Sequence, residues 1–384
     1  MAHDVLTFVR RIVCLAAVLL QPNVSAQERG IALWLTNPDR SSLFKLQDSS
    51  LPFTTETSQL PRIEIDPARK FQSMVGFGFA LTGGSAQLLI RMTPEKRAAI
   101  LKELFSAEGN SIGLSYLRVS IGASDMNEGV YSYDDLPVGE KDANLARFSL
   151  AHDEADVIPV LKEILALNPQ LRMLGSPWSA PAWMKTNGKV KGGKLKPEFY
   201  ATYAQYFVRY IEGMRAHGIP IDAITIQNEP LNPNNTPSMV MEAPEEAAFI
   251  ENYLGPAFQK AGIHTKVFLY DHNCDVPEYP LSILRDPTAA KYVDGSAFHL
   301  YGGKIEAMSK VHDAYPGKNL YFTEFMAEDL QHPDLMPVAE PVSVIGAIRN
   351  WSRIVLLWNL AADPHFGPHT NDGGCGICQG GHHH

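Results

Sequence analysis

The chain has 384 residues, 45% of them hydrophobic, which is ample for the core of one large barrel or of two ordinary domains. Acidic side chains outnumber basic ones 42 to 33, the formal net charge is −9, and no stretch interleaves basic clusters with aromatics, which argues against a nucleic-acid partner. The surface is expected to be mildly acidic.

The first residues read as a targeting segment. Arg10 and Arg11 precede the apolar run IVCLAAVLL, and Val24-Ser25-Ala26 has the small side chains of a cleavage site. The expectation is a secreted or periplasmic protein whose residues 1–26 are removed as a signal peptide. The run is too short for a comfortable bilayer span, so no transmembrane anchor is expected. Cys14 lies inside that segment and Cys274 reads as a buried free thiol. Cys375 and Cys378 form a CxxC that closes a small disulfide loop or supplies half of a metal site. Without a second CxxC or a suitably spaced His pair, the metal reading is the weaker. The terminal His382-His383-His384 resembles a partial affinity tag and is set aside from the chemistry.

Past this leader, apolar β runs alternate with helical ones. MVGFGFAL is the first strand, and Thr93-Pro94-Glu95 opens a helix with Thr93 as cap and Pro94 in the first turn. SYLRVSIG follows, then a helix around Ala151 to Leu167 in which Pro159 is an awkward interior residue, then the strand LRMLGSPWS. The amphipathic stretch from Pro197 to His217 stops at Gly218 and leads into AITIQNEP. A helix from Pro244 to Ala261, the strand KVFLYDHN, a weaker helix near Leu281 to Tyr292 and the strand GSAFHLY come next. Ile305 to Ala314 is expected as helix, NLYFTEFM as strand, Val342 to Arg353 as helix and IVLLWNLAAD as the last strand. Eight continuous apolar strands with seven intervening helices predict an α/β fold, the (β/α)8 TIM barrel, with its chemistry at the strands' C-terminal ends. A doubly wound nucleotide fold is the runner-up, but Gly76-Phe77-Gly78 lies within a strand and the spacing fails G-x-G-x-x-G.

Two of these strands stop at a carboxylate. Glu229 sits between Asn228 and Pro230, ahead of the loop LNPNNTPSM. It can be read as a helix-capping acid, but the loop does not start a helix at once, which favours a site on a rigid strand end. Glu324 follows Leu320, Tyr321, Phe322 and Thr323. A half-buried carboxylate there needs a partner, and Arg118 on the second strand is the candidate that keeps it ionised. A glycosidic bond needs one carboxyl group that donates a proton and another that attacks or stabilises the sugar carbon, so the pair points to a glycosidase. Asp125, Trp178, His299, Tyr301, Trp358 and Asn359 occupy other strand ends. Indoles suit the C–H face of a pyranose, and Asp, Asn and His suit its hydroxyls. Core packing is an equal alternative for each one alone.

The runs LGSPWSAPAWMKTNG, AITIQNEP, AFHLY, YFTEF and LLWNLAADP, in this order, resemble glycoside hydrolase family 30, the family of the glucosylceramidases and related bacterial β-glucanases, over Gly30 to Cys378. The resemblance implies a (β/α)8 barrel fused to a side β-sandwich, and a retaining mechanism on β-linked glycosides with no cofactor and no metal. On the matching motifs it implies Glu229 as acid/base, Glu324 as nucleophile, Asn228 at the 2-hydroxyl and Tyr301 steadying the nucleophile. Asp125, Trp178, His299 and Trp358 would line a glucose subsite. The implied partner is a β-glucoside, either a glucan oligosaccharide or a glucosylceramide-like lipid. Glucosylceramidase-like action is the leading reading and endo-β-1,6-glucanase the alternative. In this scheme the charge of Glu324 raises the pKa of Glu229 and keeps it protonated in the free enzyme.

Two departures from the family pattern stand out. Thr82-Gly83-Gly84-Ser85 follows the first strand where animal glucosylceramidases carry an aspartate, and looks more like bacterial members, some of which cleave β-1,6-glucan. The chain also stops soon after Gly373-Gly374-Cys375, before the family's eighth helix and most of its side sandwich. Residues 27–70 are expected as the sandwich's N-terminal segment, 71–370 as the barrel and 371–384 as a truncated tail, which would leave exposed apolar surface and an unpaired strand edge. Two other classes compete: a non-catalytic sugar-binding barrel, marked by loss of a carboxylate, and a metal-dependent hydrolase, for which no short spacing such as HExxH is present.

Overall fold

A computed structural model describes residues 30–326 and 341–370, apart from 38, 40, 49, 50, 54, 56–58 and 62. The expected leader with Cys14, the Cys375–Cys378 pair and the terminal histidines lie outside the described residues. The chain divides between Arg69 and Lys70 into two compact units. The smaller holds two short antiparallel pairs, Gly30–Ile31 with Leu51–Pro52 and Trp34–Leu35 with Lys45–Leu46. Trp34 and Phe44 stack there at 6.1 Å.

The larger unit is the barrel. Strands β1 (Gly76–Leu81), β2 (Tyr116–Ser120), β3 (Arg172–Ser176), β4 (Ala223–Thr225), β5 (Lys266–Cys274), β6 (Gly295–Gly303), β7 (Asn319–Glu324) and β8 (Ser352–Leu357) pair in chain order. All pairs are parallel, and β8 closes on β1 from Ile354↔Gly76 to Leu357↔Phe79. Gly78 is there for space: a Cβ would stand 1.7 Å from the Tyr116 carbonyl oxygen, so the glycines of β1 serve strand contact and not phosphate binding.

Side-chain alternation sorts each strand into two faces. On β2, Leu117 and Val119 join the apolar layer shared with the helices, whereas Tyr116 and Arg118 point inward. Tyr116, Leu174, Ala223, Phe268, Ala297, Tyr321, Ile354 and Leu356 plug the barrel, with Phe268 and Tyr321 stacked at 3.7 Å. Ala297 is the register partner of Tyr321, the small-beside-large packing a narrow barrel requires. Each large side chain of the plug contributes roughly 1.5–3 kcal/mol by leaving water. Toward the strands' C-terminal ends the inward positions turn polar, with Arg118, Ser176, Thr225, Asp271, His299 and Thr323 all buried. That change from plug to polar layer fixes where chemistry can occur.

Several helices differ from expectation for local reasons. Ahead of the helix expected at Thr93, α1 (Gly83–Arg91) is an additional one, and it starts there because Thr82 caps it by accepting from the Ser85 N–H. Helix α2 (Pro94–Phe105) is capped by Thr93 as expected. Helix α3 (Val157–Leu167) begins six residues later than the expected Ala151, capped by Asp156, which puts Pro159 in the first turn where its missing N–H breaks no bond. Helix α4 (Tyr200–Ala216) stops just before Gly218, whose φ is +82°. The expected helix from Pro244 to Ala261 is α5 (Ala243–Phe249) and α6 (Gly255–Ala261) joined by a π turn at Ile250–Leu254. Pro256 has no N–H for the α ladder, and the π turn absorbs the loss. The stretch near Leu281 to Tyr292 is split by Pro287 into α7 (Glu278–Leu284) and α8 (Pro287–Ala290). The last expected helix ends at Arg349, and Ser352 and Arg353 belong to β8. Among the described residues, no helix is long and apolar enough to cross a membrane.

Candidate active site

A guanidinium offers five N–H donors and no acceptor, so burying one requires oxygens on every side. Arg118 donates from Nη1 to Glu324 Oε2 at 2.5 Å, from Nη2 to Asn228 Oδ1 at 2.6 Å and to Asp271 Oδ2 at 2.8 Å, and from Nε to Ser176 Oγ at 3.2 Å. Four strand ends converge on this one side chain. The expected Arg118–Glu324 pair is therefore present, and Arg118 also reaches Asp271, which the sequence reading did not single out. Asp271 stands in the C-terminal half of β5, where Tyr270 and Asp271 take positive φ values of 75° and 51° and the β5–β6 register shifts. That bulge turns the carboxylate inward to meet Arg118, Thr225 Oγ1 at 2.8 Å, Thr323 Oγ1 at 2.7 Å and His299 Nε2 at 3.0 Å.

Glu229 and Glu324 face one another across this floor, with one carboxylate oxygen from each within 4.8 Å. Glu229 has the left-handed φ of 46°, held by its N–H to the Asp271 carbonyl at 2.9 Å and by Asn228 N–H to the Pro177 carbonyl at 2.7 Å. Its Oε2 accepts from Asn232 at 2.7 Å and Asn235 at 3.2 Å, two residues of the loop after β4 that sequence reading passed over. Its Oε1 lies 3.4 Å from His299 Nδ1 and 3.9 Å from His272 Nδ1. Glu324 Oε1 accepts from the Tyr301 hydroxyl at 3.1 Å.

Burial raises the pKa of Glu229, but His299, His272 and Asn232 outweigh it and bring the group down to about 2. Burial raises Glu324 above the usual range, against the pull of His299 and Arg118. This corrects the expectation that Glu324 lifts Glu229: the neighbouring imidazolium acts more strongly on Glu229 than the second carboxylate does. Burial depresses the His299 imidazole, but Glu324, Asp271 and Glu229 prevail and raise it to about 9. His272 is shifted the other way, lowered by burial. Asp271 stays ionised because Arg118 and His299 overcome its burial.

The other expected residues are also here. Asn228 gives its carbonyl oxygen to Arg118, and its amide nitrogen has no hydrogen bond among the described residues. Asp125 is buried with Oδ1 unpartnered among the described residues, and burial together with Glu324 and Glu229 raises its carboxyl to about 7. Trp178 and Trp358 pack at 5.5 Å, and the Arg118 guanidinium lies 4.8 Å from the Trp178 ring centre. They are 2% and 7% exposed, so most of each plate is already occupied by protein. Asn359 is used elsewhere: its Oδ1 accepts from Thr82 Oγ1 at 2.9 Å and Ser85 Oγ at 2.6 Å. The Thr82-Gly83-Gly84-Ser85 run thus anchors the loop behind Trp358. Gly83 is required because a Cβ would fall 1.9 Å from Asn127 Nδ2.

Glu229, His299 and Glu324 also have the spacing of a candidate cation site. The donors around them argue otherwise. Arg118 and Tyr301 already aim at Glu324, and Asn232, Asn235 and His299 at Glu229, so hydrogens occupy the directions a metal ion would need as lone pairs.

Two facing carboxylates at the C-terminal face of a (β/α)8 barrel can supply the two acids that cleavage of a glycosidic bond needs. The family model for the glycosyl hydrolase family 30 TIM-barrel domain matches residues 74–369, and the chain belongs to this family. An endo-1,6-β-D-glucanase of Trichoderma harzianum is 35% identical over 80% of this chain and 64% of its own length. The lysosomal acid glucosylceramidase of Mus musculus is 29% identical over 79% of this chain and 63% of its own. A solved endo-β1,6-glucanase superimposes with a TM-score of 0.81 at 34% identity, over 89% of this chain and 77% of that one. The chain thus spans a little under two thirds of each of the two curated relatives.

Proposed function

We propose that this barrel hydrolyses β-1,6-linked glucan internally, with retention of configuration. The observation that carries the chemistry is the facing pair Glu229 and Glu324, with carboxylate oxygens within 4.8 Å, close to the separation of about 5–5.5 Å at which the second acid attacks directly instead of activating water. Glu324, ionised beside Arg118, attacks the anomeric carbon while Glu229 protonates the leaving oxygen. Tyr301 holds the attacking carboxylate in line. In this reading the Asn228 amide, whose oxygen is taken by Arg118, donates to the hydroxyl next to the reacting carbon. Water then enters from the Glu229 side and the steps reverse.

The 35% identity to a fungal endo-1,6-β-glucanase, against 29% to the glucosylceramidase, supports the glucan reading over the lipid reading that the sequence motifs put first. The leader-like first residues fit secretion toward such a polymer. Purified protein is to be offered β-1,6-glucan, glucosylceramide in micelles and aryl β-glucosides. Mixed-length oligosaccharides from the glucan are expected. Faster release of ceramide, or release of glucose alone, overturns the endo-glucanase reading.

A further inference from the structure

His299 has both ring nitrogens committed and no exposed surface. Nε2 lies 3.0 Å from Asp271 Oδ1 and Nδ1 lies 3.4 Å from Glu229 Oε1. Asp271 receives hydrogens from Arg118, Thr225 and Thr323, so it can only accept from the ring. A neutral imidazole carries one N–H and would turn a lone pair toward one of the two carboxylates; only the imidazolium donates to both. No ring N–H is left for a sugar hydroxyl, the role that the family resemblance implies for His299.

We propose that His299 stores the proton that Glu229 delivers: Nδ1 passes it to the Glu229 carboxylate at Oε1, and that group hands a proton on to the glycosidic oxygen. The proposal rests on the retaining reading above. In the first displacement the bond from Glu324 to the anomeric carbon forms and the bond from that carbon to the leaving oxygen breaks. The Glu229 carboxylate takes the Nδ1 proton, the leaving oxygen gains a proton from Glu229, and Glu229 is a carboxylate again. Nδ1 is left with a lone pair while Nε2–H stays on Asp271. In the second displacement water bonds to the anomeric carbon, the bond to Glu324 breaks, and the water proton returns through Glu229 to Nδ1.

The driving force is electrostatic. The groups facing the ring are Glu229 after β4, Asp271 and His272 on β5, Tyr301 on its own strand and Glu324 at the end of β7, with Nδ1 to Glu324 Oε1 at 3.9 Å. Arg118 and Asp125 act on these carboxylates from β2 and the segment after it. Glu324 is the strongest of the charges that hold the ring protonated. When Glu324 becomes an ester its charge disappears, and the imidazolium becomes a stronger acid in the step that needs a proton. When the ester is cleaved the charge returns and the ring recovers its proton. Glu229 can therefore rest as a carboxylate, poised as a base, and still act as the acid.

The test compares wild type with His299→Gln across about pH 5–10 on an unactivated β-glucoside and on one with a dinitrophenolate leaving group, which needs no acid. The basic limb of kcat/KM for the unactivated substrate is expected to move down by about one pH unit or more, with about a tenfold or greater loss at neutral pH. The activated substrate is expected to lose no more than about threefold in its first step. An unmoved limb, or equal loss on both substrates, overturns the proposal. Nitrogen-15 NMR of histidine-labelled wild type gives a readout without mutation: two protonated ring nitrogens on His299 at neutral pH are expected, and a neutral ring overturns the proposal. Glu229→Gln is measured on the same pair of substrates. If it loses both equally, the acid/base reading of Glu229 itself falls; if it is selective while His299→Gln is not, only the relay falls.

Discussion

Arg118 and Glu324, 206 residues apart in the chain, meet at 2.5 Å inside the barrel, and the same guanidinium also reaches Asn228, Asp271 and Ser176. A lysine has a point charge in place of this planar fork and cannot serve four acceptors on three sides. Arg118→Lys is expected to lose about 3–5 kcal/mol of stability, read from chemical melts, because Asp271 and Glu324 are left buried with incomplete pairing.

Glu324→Gln keeps the shape of the side chain and removes the attacking oxygen's charge. Turnover is expected to fall to background with the fold retained, checked by activity assay alongside a melt. Robust activity in this variant would sink the assignment.

Glu229→Ala is expected to lose about 10²–10⁴-fold on unactivated glucosides. Azide should restore turnover of activated aryl glucosides and form a β-glucosyl azide, because a small anion can replace the missing base on the open face. Product analysis by NMR decides it, and an α-azide would contradict retention.

Asp125 links the site to pH. Its folded pKa is raised to about 7 by burial first and then by Glu324 and Glu229, so the native state holds a proton that the unfolded chain has released. By linkage that difference lowers stability progressively as pH rises from about 4 to 7. Asp125→Asn carries no such titration. It is therefore expected to gain on wild type, by an amount on the order of one to a few kcal/mol, between pH 4 and 7 in paired melts. Glu229 works in the opposite sense: its depressed pKa of about 2 contributes stability that is present above its unfolded value and lost as pH falls from about 4 toward 2.

Chelation is expected to leave turnover unchanged, since donors already occupy the lone-pair directions of Glu229 and Glu324. An assay before and after prolonged chelator treatment checks this, and a loss reversed by added metal would revive the metal-dependent class.

Much of this arrangement was legible in the sequence because strand ends announce themselves. Glu229, Glu324 and Arg118, the partner of Glu324, follow from apolar runs that stop at polar residues. Asp271 does not, although it stands in a similar place in KVFLYDHN: whether it points inward depends on the bulge at Tyr270 and Asp271, and a bulge shifts the two-residue alternation that reading by pattern relies on. The protonation of Glu229 was read in the wrong direction for a related reason. The sequence gives the charge of Glu324 but not the distance from His299, and at 3.4 Å the histidine wins. Thr82-Gly83-Gly84-Ser85 stood out only as a departure from the animal glucosylceramidases, and its partner, Asn359, is more than 270 residues away.

The bonds of Thr82 and Ser85 to Asn359 close the seam where the last barrel strand returns to the first. They span 274 and 277 residues, and the floor of the site draws on the six strands in between, through Arg118, Ser176, Thr225, Asp271, His299 and Thr323. Such contacts form only after long loops have closed, so the chemistry should be the last property acquired during folding, well after the helices have formed. In a refolding experiment helical signal should therefore return before activity does, and an intermediate with most of its secondary structure should bind no sugar.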